Sequence, residues 1–370
     1  MKIYLSMLAI SMMLAMLCRI NSDRIDNYVS QDIPYIKKRK VDKSLCKVLA
    51  FLSAFPILLI TCFRYRVGTD YMYYAESVRR VQDGKKSYFS NPIYRLLEKI
   101  ASAFPGYIAI FCVTGIVLVA CYWFVIYKRS VLPEYSIFLF LGTNTYFVSL
   151  NGVRQGIAMA FLFVAVHFAL KRDLKMYLVF FAFAVLTHRG VAFFLPMYWL
   201  TNLELKPKRA WIILSISVVL GVLGSGLLYL VIRLVGYGRY ISSIYDTGEF
   251  ELYITLINFV IFCVFCFYER IADKSEYRKE FQAYFWLQLL ATASIILSIA
   301  IPLAKRVCWT FSIGQILSLP LLSKFEKSRI GKIILNVGII VGFSLSIYYG
   351  IVVNGAHRVL PFQWWFNRDG

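Results

Sequence analysis

Of the chain's 370 residues, 59% are apolar and only 16% charged, and the mean hydropathy is +0.65, which excludes a soluble enzyme, a disordered tail and a secreted disulfide scaffold. The formal net charge of +21 is spread as small basic clusters between apolar runs of about twenty residues. That pattern belongs to membrane topology, not to a nucleic-acid partner, so the composition describes an all-α polytopic membrane protein with one integral membrane domain over 1–370.

In chain order the apolar runs predict helices near 3–20, 45–63, 106–127, 133–150, 155–170, 210–232, 251–268, 281–300, 304–322 and 333–353. Residues 1–20 have one Lys before an apolar core but no small-x-small cleavage site, so they are read as the first membrane helix and not as a signal peptide. The loop 19–43 carries Arg19, Arg24, Lys37, Lys38, Arg39, Lys40 and Lys43. The positive-inside bias puts it in the cytoplasm and the N-terminus outside. The same alternation brings the basic clusters at 128–129, 171–175, 206–209, 270–279 and 324–332 to the cytoplasmic side. Segment 176–203 must leave that side and return to it. As helices, 176–187 and 190–203 rise only about 18 and about 21 Å against a hydrocarbon core of about 30 Å. It is therefore predicted as a pair of short re-entrant helices whose apex is Thr187-His188-Arg189-Gly190, the alternative being one long tilted helix with His188 and Arg189 in its middle. With the pair, the chain has about twelve transmembrane or re-entrant helices and both termini outside.

The largest hydrophilic piece is the extracytoplasmic loop 64–105, read as two short amphipathic helices, 70–82 and 92–104, separated by breaks at Asp83-Gly84 and Asn91-Pro92. Tyr71, Tyr73, Tyr74, Tyr88, Phe89 and Tyr94 gather in it, which suits stacking on sugar rings and equally suits an interfacial belt. The basic residues of the predicted outer face are mostly arginine, and those of the inner face mostly lysine. Either satisfies the orientation bias, but an arginine fork holds a phosphate bidentately and stays charged in a partly desolvated site. The candidates for holding a diphosphate are Arg64, Arg66, Arg154, Arg189 and Arg306, each at a helix end, although such arginines also snorkel to headgroups. Asp70 is within short reach of Arg64 and Arg66, as a general base or as their counter-ion. His188 is a second base candidate, while His167 reads as a core group and His357 as part of a polar tail. No H-x-E, carboxylate cluster or metal-ligand spacing is present, no phosphate-loop or dinucleotide fingerprint occurs, and Cys263-x-x-Cys266 lies on an apolar helix as packing. No metal and no cofactor is expected.

Three segments carry a resemblance: Phe63-Arg64-Tyr65-Arg66-Val67-Gly68-Thr69-Asp70-Tyr71 after a helix, Asn151-Gly152-Val153-Arg154-Gln155-Gly156-Ile157-Ala158 opening another, and Thr187-His188 before a short helix, followed by Lys305-Arg306 and an aromatic tail at Pro361-Phe362. Together they resemble the EpsG family of exopolysaccharide and O-antigen repeat-unit polymerases, the Wzy-type proteins. The resemblance implies a GT-C-like glycosyltransferase in the bacterial cytoplasmic (inner) membrane with its site facing the exterior. It implies undecaprenyl-diphosphate-linked glycans as donor and acceptor, and a chain-length regulator as a further partner. On this reading Arg64, Arg66, Arg154, Gln155, Arg189 and Arg306 bind diphosphate and sugar, and His188 or Asp70 accepts the proton. The sequence departs from the family's usual pattern at His188-Arg189-Gly190, where an aromatic or small residue more often follows the histidine. A flippase for the lipid-linked unit and an O-antigen ligase use similar cationic sites and stay open as alternatives.

Overall fold

The computed structural model describes residues 1–22, 43–224, 251–301 and 303–367, and 226, 229, 230 and 233 besides. The chain forms two compact units, Met1–His167 with Leu178–Ala192 and Ile347–Gly370, and Phe168–Tyr177 with Phe193–Ser346.

In the first unit, α1 (Lys2–Ile20) packs on α2 (Lys43–Phe63) and on α6 (Pro133–Gly142), and α2 packs on α5 (Ile108–Arg129). These helices are apolar on nearly every side, so they bury against one another and still present Leu, Ile and Phe outward, as lipid-facing helices do. One ion pair, Arg19 Nε to Glu134 Oε1 at 2.8 Å, ties the end of α1 to the start of α6. Between α2 and α5 the chain makes β1 (Arg64–Tyr65), α3 (Tyr71–Gln82) and α4 (Pro92–Ser102). The run expected as one helix over 133–150 is two, α6 and α7 (Thr145–Asn151), because Asn144 turns left-handed at φ 65° and ends the helical ladder. Next come α8 (Val153–Leu170) and α9 (Leu174–Thr187), whose first turn is capped by Asp173 Oδ1 accepting the Met176 N–H at 3.0 Å. The tail returns to this unit as a π-helical turn, Tyr348–Val353, and as β2 (Gln363–Trp364), antiparallel to β1 with Arg64 opposite Trp364 and Tyr65 opposite Gln363.

The second limb of the expected re-entrant pair is not an α-helix over 190–203. After His188 the chain runs as a 3-10 helix, Arg189–Phe194, reaches Pro196, and makes a single α turn, α10 (Met197–Leu200). Proline has no N–H to continue the ladder and clashes with the preceding turn.

In the second unit, α13 (Arg278–Leu297) sits among α11 (Pro207–Leu223), α12 (Leu252–Ala272), α14 (Ala304–Ser312) and α15 (Gln315–Phe325). A buried amide network joins three of them. Gln315 Nε2 donates to Asn258 Oδ1 and to Gln288 Oε1, both at 2.9 Å, and Gln288 Nε2 donates to the Asn258 carbonyl at 2.9 Å. The expected helix 304–322 is also two, split at Ile313-Gly314, where a Cβ on Gly314 would meet the Leu287 side chain at 2.8 Å.

Among the described residues six helices are long and apolar enough to cross a membrane: α1, α2, α5, α8, α12 and Arg329–Val353, the last being α16 (Arg329–Ile347) with the π turn. The basic residues 24 and 37–40 that set the predicted orientation, and most of 225–250 with the end of the run 210–232, lie outside the described residues.

Candidate functional site

The site grows from the end of α2. Arg64 is 1% exposed, its guanidinium 4.5 Å from the centre of the Phe111 ring. Its Nη1 donates to the Thr61 carbonyl and its Nη2 to the Leu150 carbonyl at 3.4 Å. The side chain is thus an internal tie between α2 and the end of α7. Arg66 is turned the other way, exposed, with φ 53° and its guanidinium 5.4 Å from the Tyr65 ring centre. Gly68 follows at φ 103°, where a Cβ would lie 2.8 Å from the Leu150 carbonyl oxygen. Only glycine allows that backbone approach. The Gly68 N–H donates to the Arg358 carbonyl at 3.0 Å, and the Asp70 N–H donates to Asn151 Oδ1 at 3.1 Å. Asp70 itself is exposed at the start of α3.

The second motif meets the first through these bonds. Asn151 closes α7, and α8 begins at Val153. A Cβ on Gly156 would lie 2.7 Å from Ser149 Cα, so the glycine lets the short α7 and the longer α8 meet at contact distance. Arg154, half-buried in the first turn of α8, donates from Nη1 to Asn91 Oδ1 at 2.7 Å and lies 4.2 Å from the Phe89 ring centre. The loop between α3 and α4 is thereby fastened to α8. Gln155 beside it is 7% exposed. Burial raises the Tyr74 hydroxyl above its ordinary range while the neighbouring Arg154 acts to lower it. The aromatic residues of the 64–105 loop form the core of this region, Tyr74, Phe89 and Tyr94 packing on one another, while Tyr73 and Tyr88 stack at 5.0 Å on the exposed side.

A third segment, which sequence reasoning set aside as polar tail, completes the site. Gly355, His357 and Arg358 all adopt positive φ, 60°, 61° and 48°. This fold brings the His357 ring between Asn144, with Nδ2 3.3 Å from Nε2, and Asn151, with Nδ2 3.5 Å from Nδ1. Because Asn151 Oδ1 accepts the Asp70 N–H, its amide nitrogen must be what faces His357, and Nδ1 is the acceptor. Asn144 Oδ1 is buried with no hydrogen-bond partner. Asn144, Asn151 and His357 are separated by as many as 213 positions, and no local pattern marks them.

His188 belongs to the same unit. The rings of Phe161 and Phe183 meet at 5.6 Å, so α9 runs back along α8. The His188 ring folds over Gly190, where a Cβ would lie 2.7 Å from Nε2. Arg189 is exposed. Arg306 is half-buried in α14 of the second unit, next to Lys305, whose Nζ pairs with Glu251 Oε1 at 3.1 Å.

The expectation of no carboxylate cluster is corrected. Glu204, Glu269 and Asp273 bring carboxylate oxygens within 4.8 Å of one another in the second unit. Residues 65 positions apart in sequence meet there because the segment that opens α11 lies against the end of α12. Cations already occupy the cluster: Lys206 Nζ lies 2.7 Å from Glu204 and 2.9 Å from Glu269, and Arg278 lies 2.7 Å from Glu204 and 3.0 Å from Asp273. Lys206 is pushed up by Glu204 and Glu269, and Glu204 is held below the usual carboxylate range by Lys206. The donor set is an ion-pair network and not an open metal site.

An all-helical membrane protein with interlocked arginine, asparagine and histidine segments is the class these observations define. The chain matches the EpsG family over residues 47–364, and it belongs to that family, whose members are Wzy-like, polymerase-type proteins of exopolysaccharide and O-antigen. No curated protein and no solved structure matches it.

Proposed function

We propose that the protein joins undecaprenyl-diphosphate-linked oligosaccharide repeat units into O-antigen, capsule or exopolysaccharide, by GT-C-type glycosyl transfer at the outer face of the bacterial inner membrane. The observation that carries this reading is the lock between the two arginine motifs, the Asp70 N–H on Asn151 Oδ1, which holds the Arg66–Asp70 turn beside the first turn of α8 that bears Arg154.

The chemistry follows from charge. A hydroxyl of the acceptor sugar attacks the anomeric carbon of the donor glycan as the bond to the carrier diphosphate breaks, and the electron pair leaves with that diphosphate. Arg66, Arg154 and Arg189 of the first unit are the cations that stabilise the growing negative charge, with Gln155 beside Arg154. His188 takes the hydroxyl proton in this account, with Asp70 as the alternative acceptor. Arg64, buried with its two terminal nitrogens donating to backbone carbonyls, acts through the Leu150 end of α7 and not on the substrate. No step calls for a metal.

Deleting the gene and sizing the surface glycan tests the reading. A ladder reduced to one repeat is the expected result. Full polymer trapped on its carrier indicates a ligase and repeats held in the inner leaflet indicate a flippase; either overturns it.

A further inference from the structure

The α3–α4 hairpin carries a second cationic feature, separate from Arg66 and Arg154. A groove of about 680 Å³ lies between the loop after α3 and the outer side of α4, lined by Lys85, Lys86, Arg95 and Lys99 with Leu96 and Glu98. Glu98, its one acid, is turned inward, with one carboxylate oxygen accepting from Ser77 at 2.6 Å and the other from Ser87. Lys85 has Asp83 at 3.8 Å, with both side chains more than 60% exposed, a contact that solvent makes nearly worthless. Four positive charges therefore face one cavity with little to neutralise them.

Beside the groove runs an apolar ridge. Leu96, Ile100 and Phe104 recur every four residues and are 52%, 44% and 55% exposed, although the opposite face of α4 packs Tyr94, Leu97 and Ala101 into the core. The ridge stands at the edge of a membrane span: the short link 103–107 joins α4 directly to Ile108, the first residue of α5. A cationic groove flanked by an unpartnered apolar ridge, held at the start of a lipid-crossing helix, matches an amphiphile with an anionic head.

We propose that this groove is a binding site for the phosphate headgroup of an anionic phospholipid, with Leu96, Ile100 and Phe104 entering the acyl boundary. Lys85, Lys86, Arg95 and Lys99 hold the phosphate, and the site anchors the α3–α4 hairpin to the bilayer surface. It stands independently of the polymerase reading.

The test is native mass spectrometry of the purified full chain with phosphatidylglycerol and phosphatidylcholine supplied together. Wild type is expected to retain phosphatidylglycerol preferentially. The variant Lys85→Gln/Lys86→Gln/Arg95→Gln/Lys99→Gln is expected to lose at least about tenfold of that bound fraction, the scale set by removing several charge-assisted contacts. Should the fourfold variant not fold, Lys85→Gln/Lys86→Gln, confined to an exposed loop, is expected to lose severalfold alone and Lys85→Arg/Lys86→Arg to keep it. Equal retention in wild type and variants overturns the proposal. So does a groove that takes polyprenyl diphosphate or an acidic oligosaccharide but not phosphatidylglycerol.

Discussion

At Gly68 the backbone sits at φ 103° with the Leu150 carbonyl oxygen 2.8 Å from where a Cβ would be. Gly68→Ala therefore meets both a left-handed strain and a clash with backbone that cannot swing aside. About 1–3 kcal/mol of destabilisation is expected, together with loss of glycan polymer, and thermal unfolding of the purified protein measures the first. Unchanged stability would contradict the close packing of the two motifs. Single residues show what a sequence conceals. Arg64 and Arg66 are two positions apart and equally basic on paper, yet one is enclosed under Phe111 and the other is exposed. Strand alternation would put residues two apart on one face, but β1 ends at Tyr65 and Arg66 takes φ 53°, which turns its side chain away, while partners 47 and 86 residues away enclose Arg64. His357 was illegible for the same reason: its neighbours Asn144 and Asn151 are fixed by tertiary contact.

Among elements, the sequence was legible in the 64–105 loop, where breaking residues cluster at the helix ends. The helices predicted over 70–82 and 92–104 form as Tyr71–Gln82 and Pro92–Ser102, because Asp83-Gly84 and Asn91-Pro92 end one and open the other. It misled at Asn144, Gly314 and Pro196, where periodicity runs on through a break made by a left-handed turn, a close helix crossing or a missing N–H. Two elements carry predictions. Burial raises the Glu98 carboxyl above the ordinary carboxylate range, against the opposing effect of its serine hydrogen bonds. Its folded pKa exceeds its unfolded one, so the hairpin's stability is greatest below the unfolded value and falls as pH rises through the folded one. Glu98→Gln, which keeps an acceptor for Ser77 and removes the buried charge, is expected to raise the thermal midpoint at neutral pH and to flatten its pH dependence; a lower midpoint would contradict the role of burial. In the second unit, Gln288→Leu strips the buried Gln315 Nε2 of one of its two acceptors, and about 1–3 kcal/mol of destabilisation is expected. Resistance to thermal unfolding equal to wild type would contradict the network.

For the whole molecule, composition alone establishes a helical membrane protein, because every long apolar run needs lipid or another helix to cover it. The number of crossings is harder to read: six described helices are long and apolar enough, while the apolar runs over 133–150 and 304–322 are each broken into two pieces too short to span alone. What the chain does as a whole rests on its arginines, and Arg154 is the one that joins the 64–105 loop to α8 through Asn91 and Phe89. The most direct measurement is the length of the surface glycan in a deletion strain complemented with Arg154→Ala, at matched amounts of membrane-inserted protein, with Arg154→Lys alongside. The account predicts glycans of a single repeat from Arg154→Ala and poor recovery from Arg154→Lys, since an ammonium cannot reproduce the planar fork over Phe89. A full-length ladder from the alanine variant would contradict it.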